Sequence, residues 1–228
     1  MLKKILSYAV LLSMIFGLTG CGSSDKKSDI NSNNSPQKQE EKKEEKKELS
    51  ESDKMILKIG NLFDEKLAFD TGNYIEGEIP SGEYAFVKFD GSGSYYSEED
   101  AAGNIIDNEN FSSFGYVKVY SHGNLETQGA LVNITAFDKL GVKGAKELYE
   151  ILNDKKDWNQ SGFYKVGYDL EPGKYVVEST GSGYWAILTG PVGSNDIVKN
   201  DNFNGKAKIN LSKGQYLELY KAIIYKAE

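Results

Sequence analysis

The chain has 228 residues, of which 27 are basic and 34 acidic, for a net charge of -7. Every basic residue is a lysine; no arginine occurs. The acidic balance and the absence of guanidinium forks argue against a nucleic-acid partner. A single Cys excludes an internal disulfide, and one Cys with one His leaves no Cys/His zinc site. The length holds one or two small domains at roughly 100–150 residues each.

In chain order, residues 1–20 read as a secretory signal peptide: basic Lys3 and Lys4, an apolar run from Ile5 to Leu18, then small residues. The run is shorter than the roughly 20 residues of a permanent membrane span. Its end, Leu18-Thr19-Gly20-Cys21, resembles the lipobox of bacterial lipoproteins. The resemblance implies a diacylglyceryl thioether on Cys21 and cleavage just before it, which would place the protein on the extracellular face of the cell membrane. Two acyl chains hold where one binds only marginally, because each buried CH₂ contributes roughly 0.8 kcal/mol. The plainer alternative is an ordinary signal cleaved near Gly20, leaving a free thiol.

Residues 21–52 read as a charged tether with the lipidated Cys at its head. Ile30 is the one apolar residue between Cys21 and Leu49, too little surface to bury. A helix over Glu40–Glu48 would set like charges at i,i+4, as at Glu40/Glu44 and Lys42/Lys46, so a flexible coil spanning about 30 Å is expected.

Beyond the tether the sequence repeats itself at an offset near ninety residues. Tyr74, Gly77, Ile79, Gly82 and Tyr84 fall on Tyr164, Gly167, Leu170, Gly173 and Tyr175, with one gap. Gly91-Ser92-Gly93 with Tyr95 and Tyr96 parallels Gly181-Ser182-Gly183 with Tyr184 and Trp185, Asn110-Phe111 parallels Asn202-Phe203, and Ala130-Leu131-Val132 parallels Ala222-Ile223-Ile224. A mainly β fold is expected, as two tandem small β-sandwich, jelly-roll-like modules over residues 53–141 and 142–228, each opened by a short helix. Ile56, Ile59, Leu62 and Phe63 make the first helical stripe, behind a capping box at Ser50-Glu51-Ser52-Asp53. Ala145, Leu148, Tyr149 and Leu152 make the second. Pro172-Gly173 has type II turn chemistry and predicts a hairpin from Tyr164–Leu170 to Lys174–Ser179; Lys213-Gly214 and His122-Gly123 predict further hairpins.

The pattern Gly-x-Tyr-x-Val-Gly-x-Asp-Leu-x-Pro-Gly-x-Tyr at 162–175 resembles a β-rich repeat of Firmicutes lipoproteins of unknown function. The first copy departs from it at Glu76, Glu78 and Ser81. The resemblance implies fold and location only.

His122 beside Gly123 reads as a turn residue, since the other copy carries Lys213 there, and with Cys21 lipidated no nucleophilic triad can be assembled. Carboxylates such as Glu83, Asp90, Asp169 and Glu171 could pair as in a glycosidase, but no local motif selects two of them. Asp107, Asp196 and Asp201 lie in oxygen-rich loops that are weak calcium candidates and lack the spaced ligands of an EF-hand. No cofactor is called for. The aromatics are the stronger signal: Tyr95, Tyr96, Tyr184 and Trp185 beside Gly-rich turns could stack on a sugar or anchor a partner, or else close the sandwiches. The expected function is a non-enzymatic surface lipoprotein whose modules bind an extracellular or cell-wall ligand, a glycan or an envelope protein. The alternatives are an accessory subunit docking on another envelope protein and, third, a carboxylate-dependent glycoside hydrolase.

Overall fold

The computed structural model describes residues 48–120 and 123–227. The signal segment, Cys21, most of the tether and His122 lie outside them.

Helix α1 (Glu51–Asn61) begins at the predicted capping box. Ser50 Oγ accepts the Asp53 N–H at 3.0 Å, and the Ser50 N–H donates back to Asp53 Oδ2 at 3.3 Å. Its Met55 and Ile59 enter the core. The next eight strands are β1 (Ala68–Phe69), β2 (Gly72–Tyr74), β3 (Gly82–Val87), β4 (Tyr95–Glu99), β5 (Ile105–Asn110), β6 (Phe114–Val119), β7 (Leu125–Thr127) and β8 (Ala130–Asn133). A short α2 (Phe137–Leu140) stops at left-handed Gly141. Helix α3 (Ala145–Leu152) buries Ala145, Leu148, Tyr149 and Leu152, the predicted stripe. The chain closes with β9 (Gly162–Lys165), β10 (Gly173–Leu188), β11 (Ile197–Phe203), β12 (Lys206–Leu211) and β13 (Tyr216–Lys226).

The fold is mainly β, made of open antiparallel sheets. Residues 68–133 form two sheets, β1-β8-β3-β6 and β2-β7-β4-β5; residues 162–226 form one, β11-β10-β13-β9 with β12 also on β10. The pairing registers of these halves correspond. Gly82 lies opposite Val119 and Tyr84 opposite Val117, as Gly173 lies opposite Leu211 and Tyr175 opposite Ile209. Tyr95 faces Asn110 as Tyr184 faces Asn202, and Gly72 faces Thr127 as Gly162 faces Leu219. Near the end the register corrects the sequence alignment by one residue. Tyr84 faces Asn133 and Tyr175 faces Lys226, so Ala130 stands where Ile223 does; the second half carries an extra residue around left-handed Lys221.

The four tyrosines shared by the halves have one job. The hydroxyls of Tyr74, Tyr84 and Tyr175 donate to the carbonyls of Asp70, Pro80 and Glu171, four residues upstream, at 2.7, 2.8 and 2.7 Å, and Tyr164 does the same to Gln160. Each pins the chain entering a strand, in the manner of a tyrosine corner, while its ring packs inward.

None of the three predicted hairpins forms among the described residues: β6 and β7, the strands before and after His122-Gly123, pair with β3 and with β2 and β4, not with each other. After the Pro172-Gly173 bend β10 does not return along β9, which adds to β13 instead, and across Lys213-Gly214 strands β12 and β13 take opposite sides of β10. Turn residues fix a local reversal of the chain; burial of the strand faces decides the partner.

The helices and both halves share one hydrophobic cluster. Helix α3, expected to open the second half, packs on β3 and β6 of the first and against α1. Across the seam Phe114 meets Tyr164 edge-on at 5.0 Å, Phe111 meets Phe163 edge-on at 6.1 Å, and Tyr116 meets Tyr216 at 5.7 Å. Lys165 Nζ lies 2.6 Å from Glu83 Oε1, which also accepts the Tyr216 hydroxyl at 2.7 Å.

Candidate functional site

Alternation along a strand separates the four candidate aromatics, because neighbouring residues point to opposite faces. Tyr96 and Trp185 turn inward, 1% and 2% exposed, whereas Tyr95 and Tyr184 stay half-buried on the other face. Tyr96 is held by its hydroxyl on Glu98 Oε2 at 3.2 Å, and burial, reinforced by Glu98, raises its pKa. The Tyr184 hydroxyl accepts from Asn200 Nδ2 at 3.2 Å. The four rings make no continuous row.

Trp185 nevertheless lines the largest concavity described, a groove of about 550 Å³ in the second half. Tyr175, Trp185, Ile187 and Ile209 supply its apolar surface, and Lys174, Lys199 and Lys208 its charge. The three lysines come from β10, β11 and β12, brought together because β11 and β12 flank the long β10. Lys199 Nζ sits 5.6 Å from the centre of the Trp185 ring, a cation–π distance. Among the described residues none of the three lysines has a carboxylate partner, and the buried indole Nε1 has no hydrogen-bond acceptor. An aromatic floor with unneutralised cations is suited chemically to an anionic ligand. Trp185 was legible in the sequence as a ring beside a Gly-rich turn. The lysines were not singled out, although Gly173-Lys174-Tyr175 against Gly82-Glu83-Tyr84 already shows one charge reversal.

The carboxylates go elsewhere. Asp169 caps the start of α3, accepting from the Tyr116 hydroxyl at 2.7 Å and the N–H groups of Lys165 and Lys146 at 2.8 and 2.9 Å. Burial pushes its carboxyl up to about 6 against those three donors. Glu83 is engaged at the seam, and Asp90 and Glu171 are exposed. Asp107 accepts the Gly193 N–H at 2.6 Å, while Asp196 and Asp201 are exposed. Among the described residues no three of His, Cys, Asp and Glu converge as metal ligands would. A smaller cleft of about 280 Å³ between the halves holds Glu109, from the oxygen-rich segment Asp107-Asn108-Glu109-Asn110, and Glu218, which no sequence motif marks. Burial and then repulsion from Glu109 push Glu218 up to about 7, and burial raises Glu109 as well.

No family model matches the chain, and none of the curated proteins matches it.

Proposed function

We propose that this protein is a non-enzymatic lipoprotein, anchored through Cys21 on the outer face of the cell membrane, that holds two tandem jelly-roll-like modules and binds an anionic ligand in the groove around Trp185. The shared registers and the four tyrosine corners support the tandem reading. The observation that carries the binding reading is the trio of unpartnered lysines over an apolar floor. A lipid anchor and a tether would hold such a groove within reach of envelope partners.

Two measurements test it. A Cys21→Ala chain should leave the membrane fraction; retention there contradicts the anchor. The full chain in detergent, titrated with a glycerol-phosphate polymer and with acidic peptides, should bind at least one of them, reported by Trp fluorescence. Replacing Lys174, Lys199 and Lys208 together by Gln should weaken that binding at least about tenfold and flatten its salt dependence. Absence of any binding, or equal binding by the Gln protein, removes the groove as the site.

A second reading, the carboxylate-dependent hydrolase, draws on Glu109 and Glu218, two carboxyls with raised pKa in one cleft. It requires glycan cleavage that Glu218→Gln abolishes.

A further inference from the structure

The first half carries the same cleft already filled. Register matches Val117 to Ile209, Tyr116 to Lys208 and Lys118 to Asn210 on the edge strands β6 and β12. It also matches Tyr96 to Trp185, Glu98 to Ile187, and Asp107 to Lys199. In the first half this place is occupied by Pro191-Val192-Gly193 of the second. Val192 bridges in parallel to Val117: its N–H donates to the Tyr116 carbonyl at 3.0 Å, and the Lys118 N–H donates to the Val192 carbonyl at 2.8 Å. The Gly193 N–H goes to Asp107 Oδ2, and the Tyr120 hydroxyl donates to the Gly193 carbonyl at 2.8 Å. Val192 is left 3% exposed. In the second half the matched place is the lysine-rimmed groove, and among the described residues β12 pairs with β10 alone.

We infer that the groove of the second half takes an extended peptide segment of a partner protein, added in parallel to the free edge of β12, with a branched apolar residue inserted and an acidic residue directly after it. The inference rests on the reading of the groove as a binding site and specifies its occupant. The Asn210 N–H and Lys208 carbonyl stand where the Lys118 N–H and Tyr116 carbonyl pair with Val192, and Ile209 stands where Val117 does. This is strand addition to a sheet edge, where backbone bonds give affinity and side-chain pockets give specificity. The charge code is reversed. Asp107 receives an N–H from the residue after Val192, whereas Lys199 at the matched position is a donor and demands an acceptor there, best a carboxylate. Lys174 likewise replaces Glu83, which is neutralised by Lys165. A second copy of this chain does not meet the requirement: its Val192 is already seated on its own first half, and an uncharged glycine follows it.

The test uses the full chain in detergent and a capped peptide copying residues 189–195 with Gly193→Asp, read by fluorescence anisotropy of a label on the peptide. The Asp peptide should bind at least tenfold more tightly than its Gly193→Lys counterpart, and Lys199→Glu in the protein, at an exposed position, should invert that order. N-methylation of the peptide's valine nitrogen should cost at least tenfold by removing the edge bond to the Lys208 carbonyl. Equal binding of the methylated peptide, or no inversion with Lys199→Glu, overturns strand addition. Binding of the glycerol-phosphate polymer without any peptide binding overturns the peptide occupant while leaving the groove as an anionic site. Failure of both probes removes the groove reading itself.

Discussion

Between residues 68 and 133 the strands are cut into two sheets, whereas between 162 and 226 the matched positions run on as β10 and β13, 16 and 11 residues long. The difference lies in what fills the middle. In the first half Phe86 and Phe111 stack at 4.6 Å, and the stack is possible because a Cβ on Gly115 would come 2.0 Å from the Phe111 ring, and one on Gly129 2.5 Å from Phe86. In the second half the register puts Val177 where Phe86 is and Ala207 where Gly115 is. With no ring pair to house between the half-sheets, the strands pass through with only an irregularity between Ser179 and Tyr184. Side-chain volume at two or three interior positions thus sets sheet continuity while register is kept. The edges differ in a complementary way: the acidic edge of the first half is covered by the second, and the lysine edge of the second is open.

The largest effect expected on this arrangement comes from its seam. Lys165 is nearly buried against Glu83 and lies 4.8 and 5.1 Å from the ring centres of Tyr168 and Tyr216. Lys165→Met keeps the packing volume but strands the Glu83 carboxylate, so a loss of about 3 kcal/mol is expected in urea unfolding. Adding Glu83→Gln should restore much of it. A loss below about 1 kcal/mol would make the pair an ordinary surface contact and the seam a matter of rings alone.

Much of the local structure behind this comparison was legible in the sequence, and the long-range part was not. The Ser50 capping box and the Ala145–Leu152 stripe were readable because caps and helical faces are set by residues three and four apart. The paired tyrosines announced buried, matched positions. The pairing of β9 with β13 was unreadable, because Pro172-Gly173 specifies a bend and not a partner. The same gap hid the groove: Lys199 meets Trp185 only through the β10–β11 register, and the inward turn of Tyr96 rather than Tyr95 follows from which face is covered. Trp185 stood out as a ring beside a Gly-rich turn; which residues surround it depended on strand order.

A second, intermediate effect sharpens the electrostatic contrast. Glu126 and Glu218 occupy matched positions, opposite Ser97 and Ala186. Glu126 accepts from Gln128 Nε2 at 3.1 Å, whereas Glu218 faces Glu109 across the cleft. A carboxyl raised from 4.5 to about 7 favours the fold when protonated: its contribution is complete below the unfolded value and is lost as pH rises through 7. Glu218→Gln should therefore match the wild type in stability near about pH 4 and exceed it near about pH 8, by on the order of 1–3 kcal/mol. Thermal melts at the two pH values decide it, and an unchanged pH dependence would mean that the pair is solvated.

The smallest effect tests the correspondence of the halves most directly. Tyr84 and Tyr175 sit at matched places, opposite Val117 and Ile209, and each donates to a carbonyl four residues back. Tyr→Phe at either site leaves the ring in place and removes the hydroxyl's bond to that carbonyl, so about 1 kcal/mol is expected from each corner, with Asn133 as a further partner of the Tyr84 hydroxyl. The acceptor carbonyls belong to Pro80 and Glu171 in turns of different sequence, Ile79-Pro80-Ser81-Gly82 against Leu170-Glu171-Pro172-Gly173. If the corner governs how the chain enters the strand, the two losses agree despite those turns, and unfolding midpoints of Tyr84→Phe and Tyr175→Phe fall together. A difference above about 1 kcal/mol would show that turn context dominates. The shared hydroxyl would then be a common ornament on two unlike turns, and the correspondence would rest on register alone.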